Sequence, residues 1–346
     1  MKDFNNLSIN GEVYSKLKLR ELASKLTKIA DWQSPFWLFI AQWFNEKSYI
    51  EVHSSGSTGK PKLLQIPKVK MLASAAMTCQ FFNLKKGNTA LLCLSPKHIG
   101  GMMMIVRAMY AELNLIPRPP SANPLNEVNE KIDFIALVPY QVQNILDLNP
   151  KKLEAIPNII IGGGKLDFAL QQSLKHHQVA AYSTFGMTET LSHIALQKIG
   201  AEENYTCLDG IRIEQSTRGT LIVHAPMLLE EKLETNDLIE LVSPRQFKWL
   251  GRTDFAIESG GLKFIPEQVE RKLEDKIRRR FIISSRPHPK LNNELVLLIE
   301  GEQSALDSDL FEGLDKYEYP KQIYFITQFI ETANGKIDRI KTRQLI

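Results

Sequence analysis

Between Thr89 and Gly186 the sequence alternates short, continuous apolar runs with amphipathic segments. Continuous apolar strands between helices are typical of strands that are buried on both faces, as in largely parallel sheets covered by helices. The alternation therefore predicts an α/β fold. The predicted strands are 89–95, 134–138, 158–164 and 179–186, and the predicted helices are 100–113, 140–147 and 167–177.

The pattern changes after residue 205, and this change predicts the domain organisation. Short strands separated by turn residues follow, which is typical of an antiparallel sheet or barrel. From about residue 255 a helix alternates with strands, which predicts a small α+β domain. With 346 residues in the chain, we expect a large domain over residues 1–253 and a small C-terminal domain over residues 254–346.

Composition argues against several functional classes. The formal net charge of +4 is small for 346 residues, so the sequence predicts neither a nucleic-acid surface nor a membrane surface. The N-terminus lacks a signal-peptide pattern, and no uncharged run approaches the roughly 18–20 apolar residues of a membrane span. Cys79, Cys93 and Cys207 show neither metal-ligand spacing nor a disulfide framework. We expect a cytoplasmic monomer or homodimer that acts on small molecules.

The segment from Ser54 to Lys62 concentrates hydroxyls, glycines and lysines. Glycines let backbone N–H groups approach an anion, hydroxyls add donors and lysine adds charge, so the composition favours phosphate binding. It is not a Walker A loop, because Ser54 stands where that motif needs glycine and Pro61 where it needs Ser or Thr. A flexible polar loop is the alternative. The residues expected to bind phosphate are Ser54, Ser55, Gly56, Ser57, Thr58, Gly59 and Lys60.

A second motif, TFGMTET at residues 184–190, follows a predicted buried strand. Thr188 and Glu189 would then lie at the carboxyl end of a strand, where open α/β sheets bind ligands. The structural alternative is a turn with a capped helix.

Three further motifs follow in the C-terminal part of the chain. Asp237 stands at the predicted start of a strand in TNDL. The run GRTDFAIESGGLKFIP, residues 251–266, holds two cations, two carboxylates and three glycines. Lys336 lies in NGKIDR, which by itself is typical of a solvated hairpin turn.

Taken together, these motifs resemble the adenylate-forming superfamily of acyl-CoA synthetases, firefly luciferases and peptide-synthetase adenylation domains. SSGSTGKPK is similar to its phosphate loop, FGMTE to its aromatic-Gly-x-Thr-Glu motif, GRTD with SGGLKFIP to its hinge region and NGKIDR to its C-terminal lysine motif. The matches span residues 53–339 in the family's order. Two features depart from the family pattern. Only 53 residues precede the phosphate loop, and Asn236 stands where the family usually has glycine, although asparagine can adopt the same backbone shape.

The resemblance implies a ligation in two steps. A carboxylate attacks the α-phosphate of ATP to give acyl-AMP and pyrophosphate, and a thiol, that of coenzyme A, then releases AMP. The enzyme's task is to position two anions and to neutralise the charge that grows on phosphorus. By resemblance, Lys336 stabilises the transition state, Thr188 donates to the α-phosphate and Glu189 holds Mg²⁺ through its carboxylate.

The nucleotide's other contacts are implied in the same way. The phosphate loop holds the β- and γ-phosphates, and Asp237 accepts hydrogen bonds from the ribose hydroxyls with Arg252 beside it. Gly162, Gly163 and Gly164 form a backbone ledge for adenine, or else only a strand-to-helix turn.

A mobile small domain that serves both steps is a further implication. Asp254 occupies the family's hinge position. One orientation brings Lys336 to the phosphates, and the other presents SGGLKF to the thiol. Gly260 and Gly261 let the backbone approach a pantetheine arm. Lys263 is a candidate for binding a coenzyme A phosphate, or else a solvated lysine.

Within the superfamily, the compact length, the HIGG stretch and the SGG hinge sequence are most similar to the o-succinylbenzoate–CoA ligases of menaquinone biosynthesis. His98 and Arg107 are then candidates for the acid pocket, with a structural histidine as the alternative for His98. Arg107 interrupts an apolar helix, and a buried guanidinium needs an anion. That anion is either a second substrate carboxylate or a structural partner such as Glu112.

Two other functional classes stay open at this point. One is a different aryl- or acyl-CoA ligase, or an enzyme that loads a carrier-protein thiol. The other is a non-catalytic nucleotide-binding protein of the same fold. The presence of Lys336, Glu189 and Asp237 together favours an enzyme.

Overall fold

The computed structural model describes residues 5–29, 31–53, 63–164, 166–332 and 337–346, with only the backbone described for His53. The chain forms two compact units. The first comprises residues 1–162, 173–212 and 224–232, and the second comprises residues 163–172, 213–223 and 233–346. The domain boundary predicted after residue 253 stays a prediction.

The first unit contains most of the helices among the described residues. Its strands are β1 (Asn6–Ile9), β2 (Glu12–Ser15), β3 (Tyr49–His53), β4 (Leu63–Pro67), β5 (Thr89–Leu92), β6 (Asn114–Pro117), β7 (Phe134–Leu137), β8 (Ile159–Ile161), β9 (Ala181–Gly186), β10 (His193–Lys198) and β11 (Tyr205–Cys207). Its helices are α1 (Lys16–Leu26), α2 (Ser34–Trp43), α3 (Lys68–Phe81), α4 (Ile99–Ala111), α5 (Pro139–Leu148) and α6 (Lys151–Glu154), and α7 (Phe168–His176) ends within it.

The centre of this unit is a mostly parallel sheet in the order β11-β10-β9-β8-β7-β5-β6-β1-β2. Neighbours from β9 to β1 pair in parallel, whereas β10, β11 and β2 pair antiparallel at the two ends. Every residue of β7 and β8 is buried, because helices cover both faces of a parallel sheet. The predicted α/β fold is confirmed.

The start of α4 depends on a close backbone approach. A Cβ added at Gly101 would lie 2.5 Å from the carbonyl oxygen of Ser95, a separation that no side chain tolerates. The second glycine of the HIGG stretch therefore lets the helix begin tightly against the loop that follows β5. The three cysteines, Cys79, Cys93 and Cys207, are buried and are not joined by disulfides.

The second unit is richer in antiparallel strands. The strands from residue 212 onward are β12 (Arg212–Gln215), β13 (Thr220–His224), β14 (Leu233–Ser243), β15 (Gln246–Arg252), β16 (Ile257–Ser259), β17 (Leu262–Phe264), β18 (Phe281–His288), β19 (Asn292–Glu300) and β20 (Gln322–Ile326). The helical elements are a 3₁₀ turn (Thr253–Phe255), α8 (Pro266–Leu273) and α9 (Arg339–Arg343). One group of strands has the order β12-β13-β14-β15, and a separate sheet has the order β17-β16-β19-β18, with β20 parallel to β19.

The separate sheet of the second unit is apolar on both faces. Successive residues of a strand point to opposite faces, so Leu297 joins the cluster that contains Leu273 of α8, whereas Val296 packs with Phe329 on the other side. This part of the second unit takes its core from these two clusters. Among the described residues, no helix is long and apolar enough to cross a membrane.

Candidate functional site

The predicted phosphate loop connects two paired strands. β3 and β4 are antiparallel, and His53 pairs with Leu63 through the backbone. The two ends of the loop are therefore held opposite each other. The loop itself, with all of its predicted phosphate ligands, lies outside the described residues.

Gly162 directly follows β8, at the carboxyl edge of the parallel sheet. A Cβ at this position would lie 2.4 Å from Oγ1 of Thr184 in β9, and the Thr184 hydroxyl donates to the carbonyl of Ile161 at 3.2 Å. Close packing against β9 thus requires glycine at Gly162. Gly163 has φ +83°, a backbone conformation that favours glycine. Their predicted role as an adenine ledge, together with Gly164, stays a prediction.

The FGMTE motif forms a tight turn between the antiparallel strands β9 and β10 rather than the start of a helix. A Cβ at Gly186 would lie 2.3 Å from the carbonyl oxygen of Ser192. The motif's glycine therefore lets the two arms of the turn approach each other closely. Oγ1 of Thr190 accepts a hydrogen bond from the Met187 N–H at 3.0 Å and fixes the turn. Glu189 is exposed at the tip, and no described residue hydrogen-bonds to its side chain. An exposed carboxylate of this kind can act as an oxygen ligand.

Arg107 is buried in α4, with only 1% of its surface exposed. Its Nη2 donates to Oγ of Ser192 at 3.0 Å and its Nη1 contacts Sδ of Met104 at 3.9 Å. Nε has no hydrogen-bond partner in the part of the chain that the structure describes. No carboxylate among the described residues pairs with it. Burial lowers the pKa of the Arg107 guanidinium to about 10. Within the described part of the chain, Arg107 is thus a buried cation without a counter-ion, an arrangement that is costly unless an anion binds there.

The structure tests the structural partner considered for Arg107 and locates the second acid-pocket candidate, His98. Glu112 pairs with Lys86 at 2.7 Å, so the structural partner considered for Arg107 is engaged with a different cation. His98 directly precedes α4 and its side chain is exposed. Among the described residues, nothing hydrogen-bonds to its imidazole, and its backbone bonds to Ser95 and Met102.

A second buried titratable group lies beside Arg107, and sequence reasoning missed it. Nε2 of His193 is 3.1 Å from Oγ1 of Thr78, and Nδ1 is 3.4 Å from Oγ of Ser192. Burial, and then the charge of Arg107, hold the pKa of His193 well below its ordinary value of 6.5. The imidazole is therefore neutral. The signal in the sequence is a Ser-His pair three residues after the FGMTE motif, just before the apolar run at 194–196.

In the second unit, Asp237 is buried inside β14 rather than at the start of a strand as predicted. Its Oδ1 accepts from Nε1 of Trp249 at 2.9 Å, and its Oδ2 accepts from Nη1 of Arg252 at 3.2 Å. The predicted proximity of Arg252 and Asp237 follows from their direct pairing across β14 and β15. A carboxylate has about four acceptor sites, so capacity for ligand hydroxyls remains.

The predicted hinge residue belongs to the same cluster. Asp254 lies in the 3₁₀ turn, and its Oδ2 accepts from Nη2 of Arg252 at 2.5 Å. Its Oδ1 accepts from Nδ2 of Asn236 at 2.8 Å. Asn236, which replaces the family's usual glycine, therefore contributes a side-chain contact that glycine cannot make.

The SGG sequence forms the turn between β16 and β17, where Ser259 pairs with Leu262. Gly260 and Gly261 have φ +58° and +81°, as two-residue hairpin turns require. The turn thus explains the glycines, and their predicted contact with coenzyme A stays a prediction. Lys263 is exposed on β17 and lines a cavity of about 570 Å³ together with residues of α8 and of segment 315–318.

The lysine motif is described only at its C-terminal end. Arg339 makes a bidentate ion pair with Glu270, each of its Nη atoms lying 2.7 Å from a carboxylate oxygen. Glu270 is 2% exposed and also accepts from the backbone N–H of Ile283 at 2.9 Å. Bidentate geometry with a buried carboxylate fixes α9 firmly. Lys336 lies outside the described residues.

Comparison with known proteins agrees with this architecture. Residues 42–218 match the family of AMP-binding enzymes. A 2-succinylbenzoate–CoA ligase of Bacillus cytotoxicus is 23% identical over 334 residues, which cover 85% of this chain and 69% of that protein. An acyl-CoA synthetase (AMP-forming)/AMP-acid ligase II-like protein of Dyadobacter fermentans superimposes with a TM-score of 0.64 at 32% identity, covering 96% of this chain and 98% of that one.

An o-succinylbenzoate CoA synthetase (MenE) of Bacillus subtilis, solved with the acyl-adenylate intermediate OSB-AMP, superimposes with a TM-score of 0.73 at 20% identity. The overlap covers 84% of this chain and 68% of that one. The fold is that of the adenylate-forming enzymes. The chain belongs to the AMP-binding enzyme family.

Proposed function

We propose that this protein is an AMP-forming acid–thiol ligase that joins o-succinylbenzoate to coenzyme A through an acyl-adenylate. The observation that carries the choice of acid is the buried guanidinium of Arg107, which has no carboxylate partner among the described residues. o-Succinylbenzoate has two carboxylates, so one can be activated while the other binds Arg107. The names of curated relatives at 22–23% identity support the same acid.

In the proposed adenylation, the substrate carboxylate is already an anion and needs no base. The chain's work is therefore electrostatic and positional. The phosphate loop, Ser54 to Lys60, would hold the β- and γ-phosphates. Thr188 would donate to the α-phosphate, and Lys336 would stabilise the charge that develops there.

Asp237 would bind the ribose hydroxyls through its remaining acceptor sites, with Arg252 fixing its orientation. Gly162, Gly163 and Gly164 would lie against adenine. After adenylation, the thiol of coenzyme A would attack the acyl carbon and release AMP. Gly260, Gly261 and Lys263 would then contact coenzyme A, with Asp254 as the hinge between the two steps.

Glu189 fits the role of a magnesium ligand. Its carboxylate is exposed and has no hydrogen-bond partner among the described residues, and Mg²⁺ typically takes one or two protein carboxylates and keeps several waters. When bound, the ion neutralises phosphate charge. A structurally similar protein, MenE of Bacillus subtilis, was solved in complex with ATP and a magnesium ion.

The decisive assay is the formation of AMP and of a thioester from Mg·ATP, coenzyme A and o-succinylbenzoate, against benzoate and a medium-chain fatty acid. We expect strong turnover with o-succinylbenzoate alone, which would also support a place in menaquinone biosynthesis in the cytoplasm. Adenylation of another acid would be consistent with the proposed mechanism but would contradict the assignment to menaquinone biosynthesis. Transfer to a carrier-protein thiol instead of coenzyme A would contradict the assignment of coenzyme A as the acceptor.

A single variant tests the mechanism independently of the acid. Lys336→Ala should lose acyl-AMP formation while it retains ATP binding, measured by pyrophosphate exchange and by calorimetry. Unchanged turnover in this variant would contradict the mechanism. Absence of adenylation with every acid, in the unmodified protein, would favour a non-catalytic nucleotide-binding protein.

A further inference from the structure

Arg107 begins a chain of hydrogen bonds that runs through the interior of the first unit. A guanidinium can only donate, so Oγ of Ser192 must accept from Nη2 of Arg107 at 3.0 Å. The serine hydroxyl then directs its own proton to its other partner, Nδ1 of His193, at 3.4 Å. Nδ1 is therefore the unprotonated ring nitrogen.

The neutral imidazole must carry its proton on Nε2, which donates to Oγ1 of Thr78 at 3.1 Å. The hydroxyl of Thr78 in turn donates to the carbonyl of Ser74 at 3.3 Å, as threonines in helices often do. Each hydrogen bond in this series therefore donates in the same direction, from the guanidinium of Arg107 towards the helix carbonyl of Ser74. We call these four residues, Arg107, Ser192, His193 and Thr78, the arginine relay.

The relay uses one of the two protons on Nη2 of Arg107. Among the described residues, the buried Nε has no hydrogen-bond partner, and Nη1 contacts only the sulfur of Met104, at 3.9 Å. A guanidinium can bind a carboxylate with two parallel hydrogen bonds from Nη2 together with either Nε or Nη1, so the second proton of Nη2 leaves one such edge open to a carboxylate. Arg107 itself lies in α4 and Ser192 in the turn before β10, so the relay also joins two separate elements.

We propose that Ser192 and His193 are positioning residues that hold the guanidinium of Arg107 for a second carboxylate of the acid substrate. The proposal rests on the proposed function and deepens it, because it assigns dicarboxylate selectivity to two residues beyond Arg107. The relay requires a neutral imidazole. An imidazolium would donate from both nitrogens, could not accept from Ser192 and would place a second cation beside Arg107.

Four variants separate positioning from mere packing. Ser192→Ala removes the link to Arg107, and Ser192→Thr restores a hydroxyl. His193→Leu breaks the relay, whereas His193→Gln keeps one acceptor and one donor. The assay compares kcat/KM for pyrophosphate exchange with o-succinylbenzoate and with its two monocarboxylate analogues, 4-oxo-4-phenylbutanoate and 2-butanoylbenzoate.

We expect Ser192→Ala and His193→Leu to lower the preference for the dicarboxylate roughly 10- to 100-fold, the usual effect of losing a charge-assisted hydrogen bond. KM for ATP should not change, and Ser192→Thr and His193→Gln should retain most of the preference. An unchanged preference in Ser192→Ala and His193→Leu would overturn the proposal. So would an equal loss for all three acids together with ATP, which would indicate a general structural role.

Calorimetric binding of o-succinylbenzoate alone keeps this proposal distinct from the proposed function. If the unmodified protein binds the dicarboxylate but adenylates no acid, and Ser192→Ala weakens that binding, the relay is supported and the ligase is overturned. If the protein adenylates only monocarboxylic acids, or binds no dicarboxylate, the relay's role is overturned. Adenylation of monocarboxylic acids alone would still leave the ligase reaction standing.

Discussion

Asn236 donates from Nδ2 to Oδ1 of Asp254 over 2.8 Å, so the residue that departs from the family pattern holds the predicted hinge residue. Arg252 binds the other carboxylate oxygen of Asp254. Asp254 is thus restrained from two sides within the second unit. A glycine at position 236 would leave only the arginine contact.

The first prediction concerns this pair of residues. In a double-mutant cycle with Asn236→Ala and Asp254→Ala, we expect a coupling of about 0.5–1.5 kcal/mol in the free energy of unfolding, the net value of a typical hydrogen bond. Urea denaturation of the four proteins measures it. If Asp254 is the hinge, Asn236→Gly should also change the ratio of thioester formation to adenylation. A coupling near zero would show that the contact does not restrain Asp254.

The second prediction concerns the buried carboxylate of Asp237. Asp237→Asn keeps the shape but replaces an acceptor by an amide that faces the donors of Trp249 and Arg252. We expect the Kd for ATP to rise about 10- to 100-fold, because a hydrogen bond to a charged group contributes about 1.5–3 kcal/mol. Calorimetry measures the change, with the exposed Glu240→Gln on the same strand as the control. Equal affinities in the two variants would argue against ribose binding by Asp237.

The third prediction compares two adjacent glycines of α4. A Cβ at Gly101 would lie 2.5 Å from the Ser95 carbonyl oxygen, whereas a Cβ at Gly100 would make an ordinary 3.4 Å contact with Leu94. Gly101→Ala should therefore destabilise the fold by about 1–3 kcal/mol, as overpacking does. Gly100→Ala should be neutral or stabilising by up to about 1 kcal/mol, because alanine favours helices. Denaturant unfolding of both variants distinguishes these effects, and similar stabilities would contradict the packing argument.

The fourth prediction follows from the lowered pKa of His193. Because the folded protein keeps this imidazole neutral, the unfolded chain binds its proton first as the pH falls through the ordinary value of 6.5. Stability is then fully present above that pH and falls below it, by at most about 1.4 kcal/mol per pH unit.

The control for this titration is His193→Gln, which has no ionisable group at the site. Between pH 7 and pH 5, the unfolding free energy of the original protein should fall relative to that of the variant, measured by denaturant titration at each pH. Carboxylates titrate in both proteins, so the difference reports His193. A difference that is independent of pH would mean that the pKa of His193 is the same in the folded and unfolded states, which would contradict the prediction.

The parts of this protein that the sequence predicted are those set by local pattern. Continuous apolar runs identified β5, β7, β8 and β9 because strands buried on both faces exclude polar residues. The short antiparallel strands after residue 205 were likewise visible as local signals. The order of the motifs identified the superfamily, since each motif is itself a short contiguous run.

The arginine relay was not visible in the sequence, because its members come from separate segments. Thr78 and His193 are 115 residues apart and Arg107 and Ser192 are 85 apart. Only packing of α3, α4 and β10 brings them within hydrogen-bond distance. The same reason explains Glu112, which neighbours Arg107 in sequence but pairs with Lys86 in the fold.

Sequence by itself therefore determined the fold class, the family and the residue types available for chemistry. Tertiary structure alone decided which of those side chains are buried, which are hydrogen-bonded or paired with a charge, and which ring nitrogen of His193 carries the proton. The physical reason is that the cost of an unpaired buried charge depends on every neighbour within a few ångströms. For Arg107, the packing of the first unit determines these neighbours, and no local sequence pattern predicts them.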